Sequence, residues 1–135
     1  PSFKGVALSP AEDTLYICEF NNNCVYALDI TSRGKETRWL GGYGRNPGKL
    51  WGPQSLCVLP SGSLIVCERM GKRVQEFTPE GEHVRFFGAG VLKEPTAVCC
   101  SARDGRVYVS DGGAARPGRV QVFDMEGAHL TTIGP

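Results

Sequence analysis

The apolar residues of this chain occur in short runs rather than in long amphipathic stretches. The runs are rich in β-branched and aromatic residues, as in LYIC, CVYALDI, SLIVC, RVYVS and VQVF. No helical period is sustained, and the 18 glycines and 9 prolines are spread between the runs, where they mark turns. The pattern predicts an all-β chain of short strands joined by tight turns.

The same series of strands occurs three times along the chain. The two clearest copies are KRVQEFTPEGEHVRFFGAG at 72–90 and RVQVFDMEGAHLTTIG at 119–134, and a looser copy precedes them. Each copy contains four strands, which we call a, b, c and d, and the copies follow one another at spacings of 42 to 50 residues. Ser-Gly at 61–62 and Asp-Gly at 104–105 predict hairpin turns between strands a and b.

Four short strands repeated at this spacing are typical of a β-propeller blade. The predicted fold class is therefore all-β, with three four-stranded antiparallel blades. We place blade 1 at about residues 1–50, blade 2 at about 51–92 and blade 3 at about 93–135.

The order of residues within the copies resembles the NHL-repeat family of β-propellers. In blades 2 and 3 an acid ends strand b, the triplet R-V-Q begins strand c, and a glycine follows strand d. The resemblance implies a ring of six blades, of which this chain supplies three, or half. Three blades alone leave two apolar faces open, so we expect a second copy or another chain to complete the propeller, unless the chain is a piece of a longer protein that contains the other blades.

Blade 1 departs from this pattern, because Cys24 stands where the other blades have Arg73 and Arg119. Blade 1 also resembles the opening blade of lactonase-like propellers. A metal-dependent, lactonase- or lyase-like enzyme is therefore the alternative, with Glu19 as its candidate metal ligand. No Ser/His/Asp arrangement, phosphate loop or HExxH stretch is present in the sequence. We expect no enzyme activity, no catalytic residue, no cofactor and no bound metal.

The charges separate when each loop is assigned to one side of the propeller. Antiparallel strands place the d–a and b–c loops on one side, which we call the loop face, and the a–b and c–d turns on the other. The loop face receives nine bases and four acids, a balance of +5, and the opposite face has a balance of −5, while the whole chain stands at +1. A basic face predicts an anionic partner, either single-stranded RNA or an acidic protein.

We therefore predict a binding or scaffold module that recognises a protein or single-stranded RNA through its loop face. The resemblance implies the same, since NHL-family tripartite-motif proteins and translational repressors bind RNA or protein partners there. Exposed aromatic rings on that face can stack on unpaired bases. The predicted contact residues are Arg45, Lys49, Arg69, Lys72, Arg73, Arg116 and Arg119, with Tyr43 and Trp51 as the aromatic candidates.

The six cysteines predict packing rather than chemistry. Cys18 and Cys67 share one position of strand b, and Cys57 and Cys99 share one of strand a, where the repeat needs a small side chain. Only Cys24, placed in a loop, is expected to react. Six unpaired thiols indicate a reducing compartment, so we expect a cytoplasmic protein. We expect no membrane partner, because no apolar run is long enough to span a bilayer.

Two further features recur between blades 2 and 3. The acid that ends strand b and the arginine that begins strand c are expected to pair and to fix the b–c loop. A histidine that starts strand d is expected to face solvent rather than to hold a metal. The pairs are Glu68 with Arg73 and Asp111 with Arg119, and the histidines are His83 and His129.

Overall fold

The structure is a computed structural model that describes residues 2–31, 36–113 and 117–134. Within these ranges every regular element is a β-strand, and the strands form three four-stranded sheets. Each sheet takes four consecutive strands in chain order, and neighbouring strands are antiparallel. The prediction of an all-β chain with three four-stranded antiparallel blades is confirmed.

The four strands of each sheet correspond to strands a, b, c and d of the sequence repeat. Blade 1 contains β1 (Phe3–Leu8), β2 (Thr14–Glu19), β3 (Cys24–Asp29) and β4 (Thr37–Gly41). Blade 2 contains β5 (Pro53–Val58), β6 (Leu64–Glu68), β7 (Arg73–Phe77) and β8 (His83–Phe87). Blade 3 contains β9 (Pro95–Cys100), β10 (Val107–Asp111), β11 (Arg119–Phe123) and β12 (His129–Ile133).

The blades pack face to face, and blade 2 is covered on both sides. In β6, Leu64 and Val66 belong to the apolar cluster shared with blade 1, while Ile65 and Cys67 belong to the cluster shared with blade 3. All four side chains are completely buried. Successive residues of a strand point to opposite faces, so apolar side chains are favoured on both faces of a strand that lies between two neighbouring blades. This explains why residues 64–67 are all apolar and do not alternate between apolar and polar side chains.

The outer faces of blades 1 and 3 expose residues whose counterparts are buried elsewhere. Val6 of β1 is 65% exposed, whereas its counterparts Leu56 and Val98 are 6% and 7% exposed. Ile133 of β12 is 51% exposed, whereas its counterpart Phe87 is completely buried. Each outer face therefore has the chemistry of one side of the interface that joins the blades internally.

Two cysteines do not behave as the sequence predicts. Cys57 of β5 and Cys100 of β9 form a disulfide between neighbouring blades, so the expectation that all six thiols are unpaired is wrong. The repeat makes Cys57 equivalent to Cys99, but β5 and β9 lie side by side with Cys57 next to Cys100 instead. The expectation of a cytoplasmic protein rested on unpaired thiols and stays a prediction.

Cys24 also differs from the sequence-based expectation of a reactive loop thiol. It is the first residue of β3 and is buried, and burial raises the pKa of its thiol. The packing role expected for Cys18 and Cys67 is confirmed, because both are completely buried. Burial raises the pKa of the Cys18 thiol to about 12 and also raises that of Cys67. The exposed free thiol is that of Cys99.

Truncation of Phe87 tests the packing between blades 2 and 3. Phe87→Ala should lower the free energy of unfolding by about 3–5 kcal/mol, because removing a buried ring leaves a cavity. The matched control on the same strand is Val84→Ala, whose side chain is 37% exposed, and the expected change is about 0.5 kcal/mol or less. Urea unfolding followed by circular dichroism measures both. Equal losses in the two variants would contradict this description of the core.

Candidate partner-binding face

One buried carboxylate in each blade organises the loop face. Glu19, Glu68 and Asp111 end the b strands of blades 1, 2 and 3 and are 0%, 0% and 7% exposed. Each accepts a hydrogen bond from a backbone N–H just before or at the start of strand a of its own blade. The donors are the N–H groups of Ser2 for Glu19, Trp51 for Glu68, and Lys93 and Glu94 for Asp111. The carboxylates therefore tie the segment that leads into strand a of each blade to the end of strand b.

Blade 2 has the fullest network around its carboxylate. Arg73 Nε donates to Glu68 Oε2 at 2.9 Å, and Gln75 Nε2 donates to the same oxygen at 3.1 Å. The ion pair that the sequence predicts between Glu68 and Arg73 is confirmed. Burial raises the pKa of the Glu68 carboxyl, while Arg73, the Trp51 N–H and Gln75 act in the opposite direction. A charged Glu68 in this position therefore depends on these donors.

Arg73 and Gln75 also form hydrogen bonds to the backbone of the d–a loop at 42–52. Arg73 donates to the carbonyl oxygens of Arg45 at 2.7 Å and Lys49 at 3.2 Å. Gln75 Nε2 donates to the Lys49 carbonyl at 2.8 Å, and Gln75 Oε1 accepts from the Gly48 N–H at 2.7 Å. The backbone between residues 45 and 49 is thus fixed against β7 by side chains of that strand.

The outer side of the same loop displays aromatic rings beside a cation. Tyr43 is 66% exposed and meets Trp51 edge to face, with 5.9 Å between ring centroids. The Arg45 guanidinium lies over the Trp51 ring at 5.2 Å from its centroid. The structure therefore brings three of the predicted contact residues together. We call Tyr43, Arg45 and Trp51 the aromatic–arginine cluster.

Three further predicted contact residues lie around this cluster or on the adjoining b–c loop. Lys49 and Lys72 are exposed, and Lys72 adopts a φ of 57°, in the left-handed region. Arg69 is half-buried and forms an ion pair with Glu94 of the next blade at 3.2 Å. These side chains give the loop face its basic surface in blade 2.

Arg73 differs from the other predicted contact residues, because it is 9% exposed. Its donors are used on Glu68 and the loop carbonyls, and its guanidinium lies 4.1 Å from the centroid of the Phe86 ring. The structure gives it a positioning role beneath the surface. Arg119 is exposed and lies opposite Asp111 in the pairing of β10 with β11. Arg116 lies outside the described residues.

Sequence reasoning missed the two glutamines of the R-V-Q triplets, although their recurrence was visible. Gln75 and Gln121 are 0% and 5% exposed. His83 Nδ1 lies 2.8 Å from Gln75 Oε1, and His129 Nε2 lies 2.8 Å from Gln121 Oε1. The histidines therefore contact buried amides rather than solvent alone. Burial and the nearby Arg73 charge lower the pKa of His83.

The enzymatic alternative rests on Glu19, and the structure gives that carboxylate two backbone partners. Its oxygens accept from the N–H groups of Ser2 and Asn22. Across the parts of the chain that the structure describes, no three His, Cys, Asp or Glu side chains converge as a metal site. The same residues include no helix long and apolar enough to cross a bilayer.

Loss of Arg73 should destabilise the chain in a pH-dependent way. Arg73→Met leaves the buried Glu68 carboxylate unpaired, so the expected loss at pH 7 is about 3–5 kcal/mol. The pKa of Glu68 is already raised above 4.5 and should rise further in the variant. A raised carboxyl pKa contributes stability that is present below the unfolded value and is lost as pH rises through the folded pKa. The deficit should therefore be smallest below pH 4.5 and grow as pH rises.

The double variant Arg73→Met/Glu68→Gln serves as the control for this prediction. It removes the charge that Arg73 neutralises, so its deficit should not grow as pH rises over the same range. Urea unfolding of the single variant, the double variant and the parent chain at pH 4 and pH 7 gives the comparison. A deficit in the single variant that is independent of pH would contradict the role assigned to the pair.

Comparison with known proteins agrees with the repeat pattern. The chain matches the family model described as SMP-30/Gluconolactonase/LRE-like region over residues 3–113. Protein brain tumor of Drosophila melanogaster is 30% identical over 132 residues, which are 96% of this chain and 12% of that protein. RING finger protein nhl-1 of Caenorhabditis elegans is 33% identical over 83 residues, 59% of this chain and 8% of that protein. The chain thus spans a small part of the length of these relatives.

Solved structures with little sequence identity share the arrangement of the blades. The crystal structure of the nidogen/laminin complex aligns with a TM-score of 0.78 at 16% identity, over 96% of this chain and 48% of that chain. The crystal structure of the RRP9 WD40 repeats aligns with a TM-score of 0.78 at 14% identity, over 99% of this chain and 39% of that chain. These likenesses show the fold and confirm a propeller. With the family match and the repeats, they establish that the chain belongs to the SMP-30/gluconolactonase/LRE-like family and is an NHL-repeat β-propeller.

Proposed function

We propose that this chain is a non-enzymatic binding module whose loop face holds an acidic protein partner. The observation that carries the proposal is the aromatic–arginine cluster on the loop at 42–52. Tryptophan, tyrosine and arginine are the residues that contribute most to protein–protein interfaces. The loop beneath them is already fixed by Arg73 and Gln75, so little conformational entropy is lost when a partner binds.

The charges around the cluster support an acidic partner. Lys49 and Lys72 are exposed beside it, and the Arg69 side chain is 42% exposed. The carboxylates that end strand b are buried and hydrogen-bonded, so they offset little of this surface charge. Opposite charge on a partner would speed association and fix its orientation.

Single-stranded RNA is the alternative partner for the same face. A base that stacks on a protein needs an open ring face. In the cluster, Arg45 already lies over the Trp51 ring, and only Tyr43 presents a largely exposed ring. This arrangement favours a protein surface with acidic groups over a run of bases.

Removal of three cations should weaken partner binding without loss of fold. The variant is Arg45→Gln, Lys49→Gln and Lys72→Asn, the last copying Asn23, which has nearly the same φ in blade 1. Immobilised chain and variant are each incubated with nuclease-treated cell extract, and retained proteins are quantified by mass spectrometry. We expect about tenfold less retained protein with the variant, since three exposed pairs together contribute about 1.5 kcal/mol.

The matched control changes three charges on the opposite face: Glu12→Gln, Glu80→Gln and Glu126→Gln. It should retain the same proteins as the parent chain. Equal retention by both variants would rule out the loop face as the binding surface. Retention that disappears on nuclease treatment would identify RNA as the ligand. Hydrolysis of a simple lactone by the chain with Ca²⁺ or Zn²⁺, reduced by Glu19→Gln, would favour the enzymatic alternative.

We also propose that the exposed outer faces of blades 1 and 3 pack against further propeller blades. The internal interfaces between blades 1, 2 and 3 show what such faces bury. The face with Val6 matches the side of blade 2 that meets blade 1, and the face with Ile133 matches the side of blade 2 that meets blade 3. The blades that cover these faces would come from a second copy, from another chain, or from a longer protein of which this chain is a piece.

Sedimentation of single and mixed variants tests packing by a second copy. The 135-residue chain should self-associate at micromolar concentration, and Val6→Glu or Ile133→Glu should each give monomers, because each buries a charge in the interface. An equimolar mixture should recover association, because one unaltered Val6 face then meets one unaltered Ile133 face. Ile30→Glu, at a position that is 41% exposed, is the control. A parent chain that stays monomeric would exclude the second copy and leave another chain, or further blades of a longer protein, as the partner.

A further inference from the structure

The loops that lead into blades 2 and 3 are equivalent at both ends but differ in length. Leu50 packs on Gly41 as Leu92 packs on Gly88, since a Cβ on either glycine would lie 2.6 Å from a leucine methyl carbon. Eight residues, 42–49, separate Gly41 from Leu50, whereas three, 89–91, separate Gly88 from Leu92. Blade 3 therefore lacks the extra length that blade 2 places over its third strand.

In blade 2 that extra length covers the side chains of Arg73 and Gln75. The carbonyl oxygens of Arg45 and Lys49 accept from Arg73, the Lys49 carbonyl accepts from Gln75, and the Gly48 N–H donates to Gln75. The site above β7 thus accepts a backbone turn, in which the Lys49 N–H donates to the Asn46 carbonyl, and the chain fills it with its own residues 45–49.

In blade 3, no residue that the structure describes fills the equivalent site. Arg119 and Gln121, the counterparts of Arg73 and Gln75, line a cavity of about 310 Å³. Val91 and Lys93 of the short loop line it on one side. This volume is at the lower end of the range for ligand pockets, so it fits a short segment of chain rather than a folded domain. The other lining residues are Asp111, Gly112 and Pro117.

Gln121 presents an unused donor to this cavity. Its side chain is 5% exposed, and its Oε1 accepts from Thr132 Oγ1 at 2.6 Å and lies 2.8 Å from His129 Nε2. Its Nε2 has no hydrogen-bond partner among the residues that the structure describes, whereas Gln75 Nε2 has two. Gln121 lines the cavity, and a carbonyl oxygen from a ligand there would give this donor a partner.

The cations at the rim indicate which side chains such a ligand carries. Lys93 and Arg119 are exposed there, while Asp111 is buried and accepts from the N–H groups of Lys93 and Glu94. Arg73 shows that an arginine at this position can pair with the strand-b carboxylate and still donate to two carbonyls.

We propose that the cavity above Gln121 and Arg119 binds a short turn of an acidic protein, in the way that the turn at residues 45–49 occupies blade 2. A backbone carbonyl of the segment accepts from Gln121 Nε2, a second accepts from Arg119, and acidic side chains lie near Lys93. This proposal rests on the proposed function, because it names the part of the protein partner that enters the loop face.

A synthetic peptide tests the cavity directly. The probe is the N-acetylated, C-amidated hexapeptide Gly-Glu-Asn-Pro-Gly-Glu, which keeps the backbone-shaping residues of segment 44–49 and replaces its two cations by glutamate. Titration into ¹⁵N-labelled chain should shift the side-chain amide signals of Gln121 and leave those of Gln75, which its own loop already covers, unchanged. Gln121→Leu should weaken binding about three- to tenfold, the equivalent of one hydrogen bond.

A loop graft provides the second variant. Replacement of residues 89–91 by the sequence GYGRNPGK of residues 42–49 should fill the cavity from within and abolish peptide binding. Absence of a Gln121 shift, equal shifts of Gln75 and Gln121, or undiminished binding by a folded graft would each overturn the proposal. A Gln121 shift caused by a uridine oligonucleotide and not by the peptide would overturn it in favour of RNA.

The graft also separates this proposal from the proposed function. It leaves Arg45, Lys49, Trp51 and Lys72 in place, so partner retention measured on the graft reports on these residues and not on the cavity. If the parent chain retains partner proteins but does not bind the peptide, the cavity proposal fails and the proposed function stands. Equal retention by parent and triple variant would mean that the proposed function fails, whatever the peptide result.

Discussion

The fold of each blade depends on one carboxylate that is buried away from water. A buried carboxylate needs hydrogen-bond donors. In all three blades these include backbone N–H groups just before strand a. Hydrogen bonds to a charged acceptor are stronger than those between neutral groups. The bond joins two segments that are separated by a whole hairpin, so it fixes the d–a loop and the end of strand b together. Buried polar groups therefore fix the conformation of the loops that a partner would contact.

The further hydrogen-bond donors to the strand-b carboxylate differ among the three blades. Glu19 adds the Asn22 N–H, Glu68 adds Arg73 and Gln75, and Asp111 adds the Glu94 N–H. Because the carboxylate anchors the loop at one end only, the length between the anchor and strand d is free to vary. Blade 2 uses that freedom for a long loop with exposed rings, and blade 3 leaves an open cavity. One scaffold thus presents different surfaces on loops, where binding residues commonly lie.

Much of this could be predicted from the sequence, and the rest could not for identifiable reasons. The repeat located every strand, and the recurrence of an acid and an arginine predicted the Glu68–Arg73 pair. The role of Gln75 was missed, because its partners are backbone atoms of a distant loop that no side-chain pattern reveals. The bond between Cys57 and Cys100 was missed because the repeat aligns equivalent positions, whereas contact depends on how neighbouring blades are offset. Cys24 was placed in a loop because blade 1 lacks the arginine that marks the start of strand c elsewhere.

Hydrogen–deuterium exchange of the chain with and without its captured protein partner tests the central claim most directly. If the loop face is the binding surface, the partner should slow exchange in segments 42–49 and 69–72 and leave the hairpin turns at 61–62 and 104–105 unchanged. Slower exchange confined to those turns, with the loop at 42–49 unaffected, would contradict the account and place the partner on the acidic side of the propeller.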